Sequence, residues 1–304
     1  MRRVAFLIVP LLFAVRRIRT RLLTAGVVAL ALGAAAGLVG WSSVAAALSQ
    51  EQNVRLRLTE VTSDERSVQV VYHLQPAEPD GRRGEVAAVF RDLADVTEPP
   101  RRASLLHSVG PEGIRLVAVE EPERDIDVTA GRLPDACRAR TCEALALAGA
   151  FRRGETIALG HNVFVRIVGH GSVRPQALPL QSDALTQTPE LTDQALLVRN
   201  LDVPLAQFAK ETGTSVVTTA ALDPAAVRGS ALRSLSERLR VALVELERTG
   251  PLLETEAPFA FLDELADRGE VARDRLLLVA GQGAALIVAF AAFAAAARRR
   301  DVQL

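Results

Sequence analysis

The chain has 304 residues, 49% of them hydrophobic and 24% charged, and its 36 basic and 36 acidic side chains cancel to a net charge of zero. Its single lysine, Lys210, stands in "FAKETG" with no glycine-rich turn before it, so the chain has no phosphate-binding loop with which to act as an ATPase by itself. Nine arginines and one acid lie near the two ends, a net of +8, which leaves the middle at −8 and excludes the basic surface of a nucleic-acid binder.

Arg2, Arg3, Arg16, Arg17, Arg19 and Arg21 fall within residues 1–21, with no acid among them. The apolar stretch Val4 to Val15 is too short to span a bilayer and contains Pro10, so it predicts an interfacial helix on the inner leaflet. Leu22 to Leu48 carries no charge, and about 20 residues at ~1.5 Å rise already cover a hydrocarbon core of roughly 30 Å. This run predicts a first transmembrane helix over 22–48, with Trp41 near the outer interface. "SVAAALSQ" offers Ala45 and Ala47 in a cleavage-like pattern, but the apolar region of a signal peptide is usually about 7–15 residues. A permanent anchor is expected.

Residues 49–275 predict a mixed α+β domain, β-rich to about 179 and helical after about 223. "NVRLRLTEV" and "SVQVVYHL" alternate or run β-branched around the turn-forming "TSDER", and read as strands. "GIRLVAVEE", "ALALAGAF" and "HNVFVRIVG" read as further strands, and Val86 to Leu93 has helical spacing. "SVRPQALPLQSDALTQTPELTD" reads as a domain boundary or long loop. Asp223-Pro224 is a helix-start signal, and Leu232, Leu235, Leu239, Ala242 and Leu246 form one apolar stripe. A last helix, with Gly269 as a candidate break, leads into a second uncharged run, Leu276 to Ala297, which predicts transmembrane helix 2. Residues 298–304 form a stub opening with Arg298, Arg299, Arg300 and Asp301. Arginines mark cytoplasmic helix ends, so both termini are expected inside a cell membrane and the acidic middle outside.

Few residues offer chemistry. Cys137 and Cys142, with four residues between them in the exported segment, read as a local disulfide or as two free thiols; a metal site would need two more ligands. His161 and His170 are nine apart and point to opposite faces of a strand. Asp125 and Asp127 in "DIDVTAG" have the glycine at the wrong position for a calcium loop and no closing glutamate at the required spacing. No serine sits in a nucleophile elbow. No catalytic, cofactor-binding or metal residue is therefore assigned, and no cofactor or enzymatic activity is expected.

The spans instead offer packing surfaces. Ala25, Ala29, Gly33 and Gly37 step by four along the first, and Gly281, Ala285 and Ala289 along the second, as small residues do where helices approach closely. Gln282 calls for a hydrogen-bonding partner on another helix. The layout of "RRIRTRLLTAG", one span, an exterior α+β domain, and a second span closed by "ARRRDVQL" resembles the N-terminal part of FtsX/MacB-like ABC transporter permeases. The resemblance implies a separate ATPase subunit docking near Arg298, Arg299, Arg300 and Asp301, and further transmembrane helices of the same or a sister permease beside these two in the lipid. It also implies that the chain is a fragment, a truncation or a split half of such a permease. The function expected is transport or transmission of motion to the exterior domain. Its rivals are a two-span regulator of polysaccharide chain length and a membrane-anchored exterior binding or sensor protein.

Overall fold

The computed structural model describes residues 5–74, 82–110, 113–174, 194–208, 212–249 and 253–301. It divides into two compact units: Val54–Glu264, and the chain up to Asn53 together with Leu265 onward. The fold class is mixed α+β, as expected.

Unit Val54–Glu264 is built on one ten-stranded sheet. In chain order its elements are β1 (Ser67–Leu74), α2 (Arg83–Asp92), β2 (Arg101–Val109), β3 (Ile114–Val119), α3 (Pro122–Asp125), β4 (Ile126–Gly131), β5 (Thr141–Ala148), β6 (Thr156–Gly160) and β7 (Val163–Val173). There follow β8 (Ala195–Val198), α4 (Asp202–Phe208), β9 (Thr214–Ala221), α5 (Leu232–Arg248) and β10 (Leu253–Glu256). Helix α1 (Ala5–Glu60) lends its last turns to this unit, and α6 (Phe259–Asp301) its first. The strands order as β10-β1-β9-β2-β3-β8-β5-β7-β4, with β6 also on β7. β9 is buried along its whole length, and its run "TSVVTTAA" shows no polar–apolar alternation because both faces are covered. Its neighbours β1 and β2 both pair with it antiparallel.

One face carries Leu106, Leu116, Ala144, Val165 and Leu196, covered by Leu201 and Phe208 around α4. The opposite face carries Val71, Leu105, Val117, Leu145, Leu197 and Val217, and Ile126 joins that cluster. Arg101 of β2 also reaches Asp125 at 2.9 Å, although four strands separate β2 from β4. The sheet therefore curls, and its β4 edge returns over this face.

Five local expectations change. Asn53 to Glu60 is helix, not strand: Val54 and Leu58, four apart, are both buried, and a helix already propagating adds turns without a new nucleus. The arginine-rich lead-in and first span are likewise one helix, since Pro10 sits near its start and removes only one ladder bond. The sheet does not end near residue 179, because β9 lies between β1 and β2 and only long-range pairing reveals that. Of the segment read as a boundary or loop, residues 175–193 lie outside the described residues, as does Lys210. Asp223-Pro224 forms a turn, with Asp223 Oδ1 accepting from the Ala225 amide at 2.8 Å, and α5 starts at Leu232. Finally, the stripe on α5 is buried as drawn except that Leu243 replaces Ala242.

Candidate functional site

The surface that sets this chain apart is the unit formed by α1 and α6. Both helices are long and apolar enough to cross a membrane, with mean hydropathies of 1.9 and 2.2 over their most apolar stretches. Only 6% and 11% of their most apolar stretches are covered by the rest of the protein. Leu30, Trp41, Leu286, Phe290 and Phe293 are each more than 70% exposed. Two hydroxyls within α1 are satisfied locally: Ser42 Oγ donates to the Leu38 carbonyl at 2.8 Å and Ser43 Oγ to the Gly40 carbonyl at 2.7 Å.

The two helices run antiparallel. A Cβ on Gly283 would meet Leu38 Cδ2 at 3.0 Å, and one on Gly269 would meet Gln50 Nε2 at 2.5 Å. Ala35, Ala46, Ala280 and Ala291 are buried. Between residues 25 and 50 of α1 the covered positions are Ala31, Ala35, Ser42, Ala45, Ala46 and Gln50; Ala35, Ser42 and Gln50 stand seven and eight apart, about two helical turns, on one seam. Gly269 and Gly283 are 14 residues apart, two heptads, and so share one seam on α6. Gly269 does not break α6; it admits Gln50.

The predicted ladders are not this seam. A Cβ on Gly33, Gly37 or Gly281 would meet nothing within 4 Å, and Gln282 is exposed. A step of four drifts about 40° around a helix each time, whereas the three-and-four alternation stays on one line. The faces bearing these glycines are open in the structure. Sequence reasoning missed Gly283 and Gln50, and the heptad spacing from Gly269 was the signal available. Arg298, Arg299, Arg300 and Asp301 lie on the last turn of α6, and their side chains are outside the described residues. The antiparallel pairing puts them at the same end of the pair as residues 16–21.

In the sheet unit, Cys137 and Cys142 stand at disulfide distance, Sγ–Sγ 2.05 Å. They bracket a tight turn in which Arg138 and Thr141 exchange backbone hydrogen bonds at 2.8 and 3.0 Å, with Ala139 at φ 54°. His161 and Asn162, both at positive φ, make the two-residue turn between β6 and β7, and the His161 ring stands edge-on to Phe208 at 5.1 Å. His170 lies within β7, paired with Ala146 and Ala130. Asp125 is 1% exposed and bound to Arg101, and burial pushes its carboxyl above the usual range, with the Arg101 charge opposing. Asp127 is held by Arg174 at 2.7 Å.

One polar row escaped the sequence reading, because its members come from three strands distant in the chain. Ser215 Oγ lies 2.9 Å from His73 Nδ1 and 3.1 Å from His107 Nε2, so a single buried hydroxyl bridges two imidazoles across β1, β9 and β2. Burial first, then the Arg115 and His73 charges, hold the His107 imidazole below its ordinary range. No acid among the described hydrogen-bond partners orients either ring, and the row links β1, β9 and β2 side by side. Compared with known proteins, the sequence matches no family model and no curated protein.

Proposed function

We propose that this chain is a permease-type subunit of a membrane machine, anchored by α1 and α6, that relays the action of a partner ATPase to an extracytoplasmic sheet domain. The observation that carries the reading is α6: one helix from Phe259 to Asp301, starting beside the buried Leu262, continuing through the apolar run and ending in Arg298–Arg300. A continuous helix carries a displacement along its length, whereas a flexible linker absorbs it. Supporting it are the uncovered ladders at Gly33, Gly37 and Gly281, which leave surface for further spans, and the arginines at one end of the pair, which the positive-inside rule assigns to the cytoplasm. The pair Cys137–Cys142 agrees with an oxidising compartment for the sheet domain. The layout shared with FtsX/MacB-like permeases is what names the partner as an ABC ATPase, which would dock near Arg298 to Asp301. The chain itself is not the enzyme.

The test is an insertion. Placing Gly-Gly-Ser between Asp274 and Leu276, in a membrane reconstituted with the partner ATPase, is expected to leave partner binding intact and to uncouple ATP hydrolysis from the response of the exterior domain. Coupling that survives the insertion rejects the mechanical relay, and a pull-down on the membrane-embedded chain that captures no ATPase rejects the permease reading.

A further inference from the structure

The open edges of the ten-stranded sheet differ in chemistry. β10 carries Glu254 and Glu256 at one end of the strand order, and β4 carries Asp127 at the other. Charges of this kind keep an edge strand from pairing with another chain. β6, which shares with β4 the side of β7 away from β5, reads "TIALG" and has neither a charge nor a proline. Among the described residues its backbone pairs with β7 alone. The Gly154 amide donates to the Ile167 carbonyl at 2.8 Å and the Ile167 amide to the Glu155 carbonyl at 2.9 Å, with Gly154 at φ 88°. This glycine bulge sets the register at the start of the strand. Ile157, opposite Val165, is the next hydrogen-bonded position, because bonding alternates along an antiparallel ladder. The amides and carbonyls of Thr156 and Ala158 therefore point away from β7, and both residues are exposed.

Side chains give this edge a sign. Thr156 lies opposite Arg166 and Ala158 opposite Phe164, so these four share the outer face, while Leu159 is buried and Ile157 packs on the core. Phe164 is 40% exposed, which leaves that face uncovered. Arg152 and Arg153 immediately precede the bulge. With Arg166 they set three exposed guanidiniums around β6, none of them ion-paired among the described residues. Of the acids beside them, Glu155 accepts from the Arg152 amide at 2.7 Å, and Glu143, opposite Arg166 on β5, is held by Arg132 at 2.6 Å.

We infer that β6 is a docking edge for an acidic, extended peptide segment of a partner protein, which adds a strand to the sheet. Main-chain bonds to Thr156 and Ala158 supply affinity, and acidic side chains at every second position meet Arg152, Arg153 and Arg166. Charge decides the occupant. A second copy pairing through its own β6 brings the same three arginines and sets like charges against each other. A polyanionic sugar satisfies the guanidiniums but leaves the outward amides and carbonyls without a ladder. This edge lies wholly within the sheet unit, so it is independent of the relay and of the membrane reading.

The experiment uses the full, unreduced chain in mild detergent and a fluorescein-labelled seven-residue peptide that alternates glutamate with valine. Its lysine–valine counterpart and dextran sulfate are the comparison probes. Fluorescence anisotropy is expected to show the glutamate peptide binding about tenfold more tightly than the lysine one. Ala158→Pro removes an outward amide and spares the pairing with β7, since an edge strand accepts proline where its N–H faces solvent. Binding should then fall about tenfold, as it should for Arg153→Gln/Arg166→Gln, with thermal melts showing that each variant is folded. Hydrogen exchange at Thr156 and Ala158 should slow on binding, while that at Ile157, already bonded to β7, stays the same. If the proline variant melts early, the arginine variant and the exchange pattern decide. Equal affinity for the two peptides overturns the proposal, as does binding that survives either change in a folded variant or leaves exchange at Thr156 and Ala158 unaltered. Dextran sulfate binding where the glutamate peptide does not assigns the arginines to a polysaccharide and overturns it too. So does dimerisation that Ala158→Pro abolishes in a chain that binds no peptide, which puts a second copy on this edge.

Discussion

Arg101 and Asp125 show how a single contact holds a curled sheet. The carboxylate is 1% exposed and one guanidinium offsets its burial, so removing that partner strands a charge in the core. Arg101→Ala is expected to cost about 3–5 kcal/mol in chemical denaturation, while replacing both residues with apolar side chains of similar volume costs far less. The cysteine pair works through the unfolded chain instead, and closing so short a loop is worth about 2 kcal/mol in the chain-entropy account. Cys137→Ser/Cys142→Ser should therefore fold, with a modest loss of stability measured beside the untreated and the reduced parent. His107 makes the fold sensitive to pH. Its imidazole is held below 6.5 in the folded state, so the unfolded chain takes up the proton first as the pH falls. The contribution is present above about pH 6.5 and is lost on acidification below it. Asp125, raised by burial, acts in the opposite sense, since its protonation relieves the folded state. The difference between parent and His107→Gln in a stability–pH series isolates the imidazole; parallel curves through pH 6.5 would refute its role.

Among the elements, α5 follows its sequence pattern closely. Leu239 is fully buried in the middle of the stripe, so Leu239→Ala is expected to cost about 2–5 kcal/mol, the spread reflecting how far the site collapses. The seam between α1 and α6 tolerates less than its composition implies. At Gly269 an added Cβ presses only on the far end of Gln50, so Gly269→Ala should be mild. Gly269→Leu has no such escape and should separate the helices. A Leu38→Cys/Gly283→Cys cross-link checks this: its yield should persist in the alanine variant and fall several-fold in the leucine one. The helical state of residues 53–60 was illegible from their own alternation. Val54, Leu56 and Leu58 fit a strand, and only the burial of Val54 and Leu58, with Leu56 exposed, shows the helical face in use.

For the molecule as a whole, the membrane reading predicts a topology. A cysteine introduced at Gly171, in intact cells, should react with an impermeant reagent, and one at the C-terminus should not; protection of position 171 rejects the orientation drawn from the arginines. Much of the architecture was legible in the sequence alone, because its signals are local. Uncharged runs of membrane length mark α1 and α6, β-branched segments mark β1, β3 and β7, and leucine spacing marks α5. Tertiary structure alone decided the rest. β9 enters between β1 and β2 from more than 100 residues away, and His73, Ser215 and His107 meet only because that pairing sets their register. Likewise the α1–α6 contact runs along Gly283 and Gly269, not Gly33, Gly37 and Gly281, because which stripe of an apolar helix is used depends on the helix it faces. Hydrophobic burial drives assembly without direction, and the choice of partner comes from long-range fit, which no stretch of sequence contains by itself.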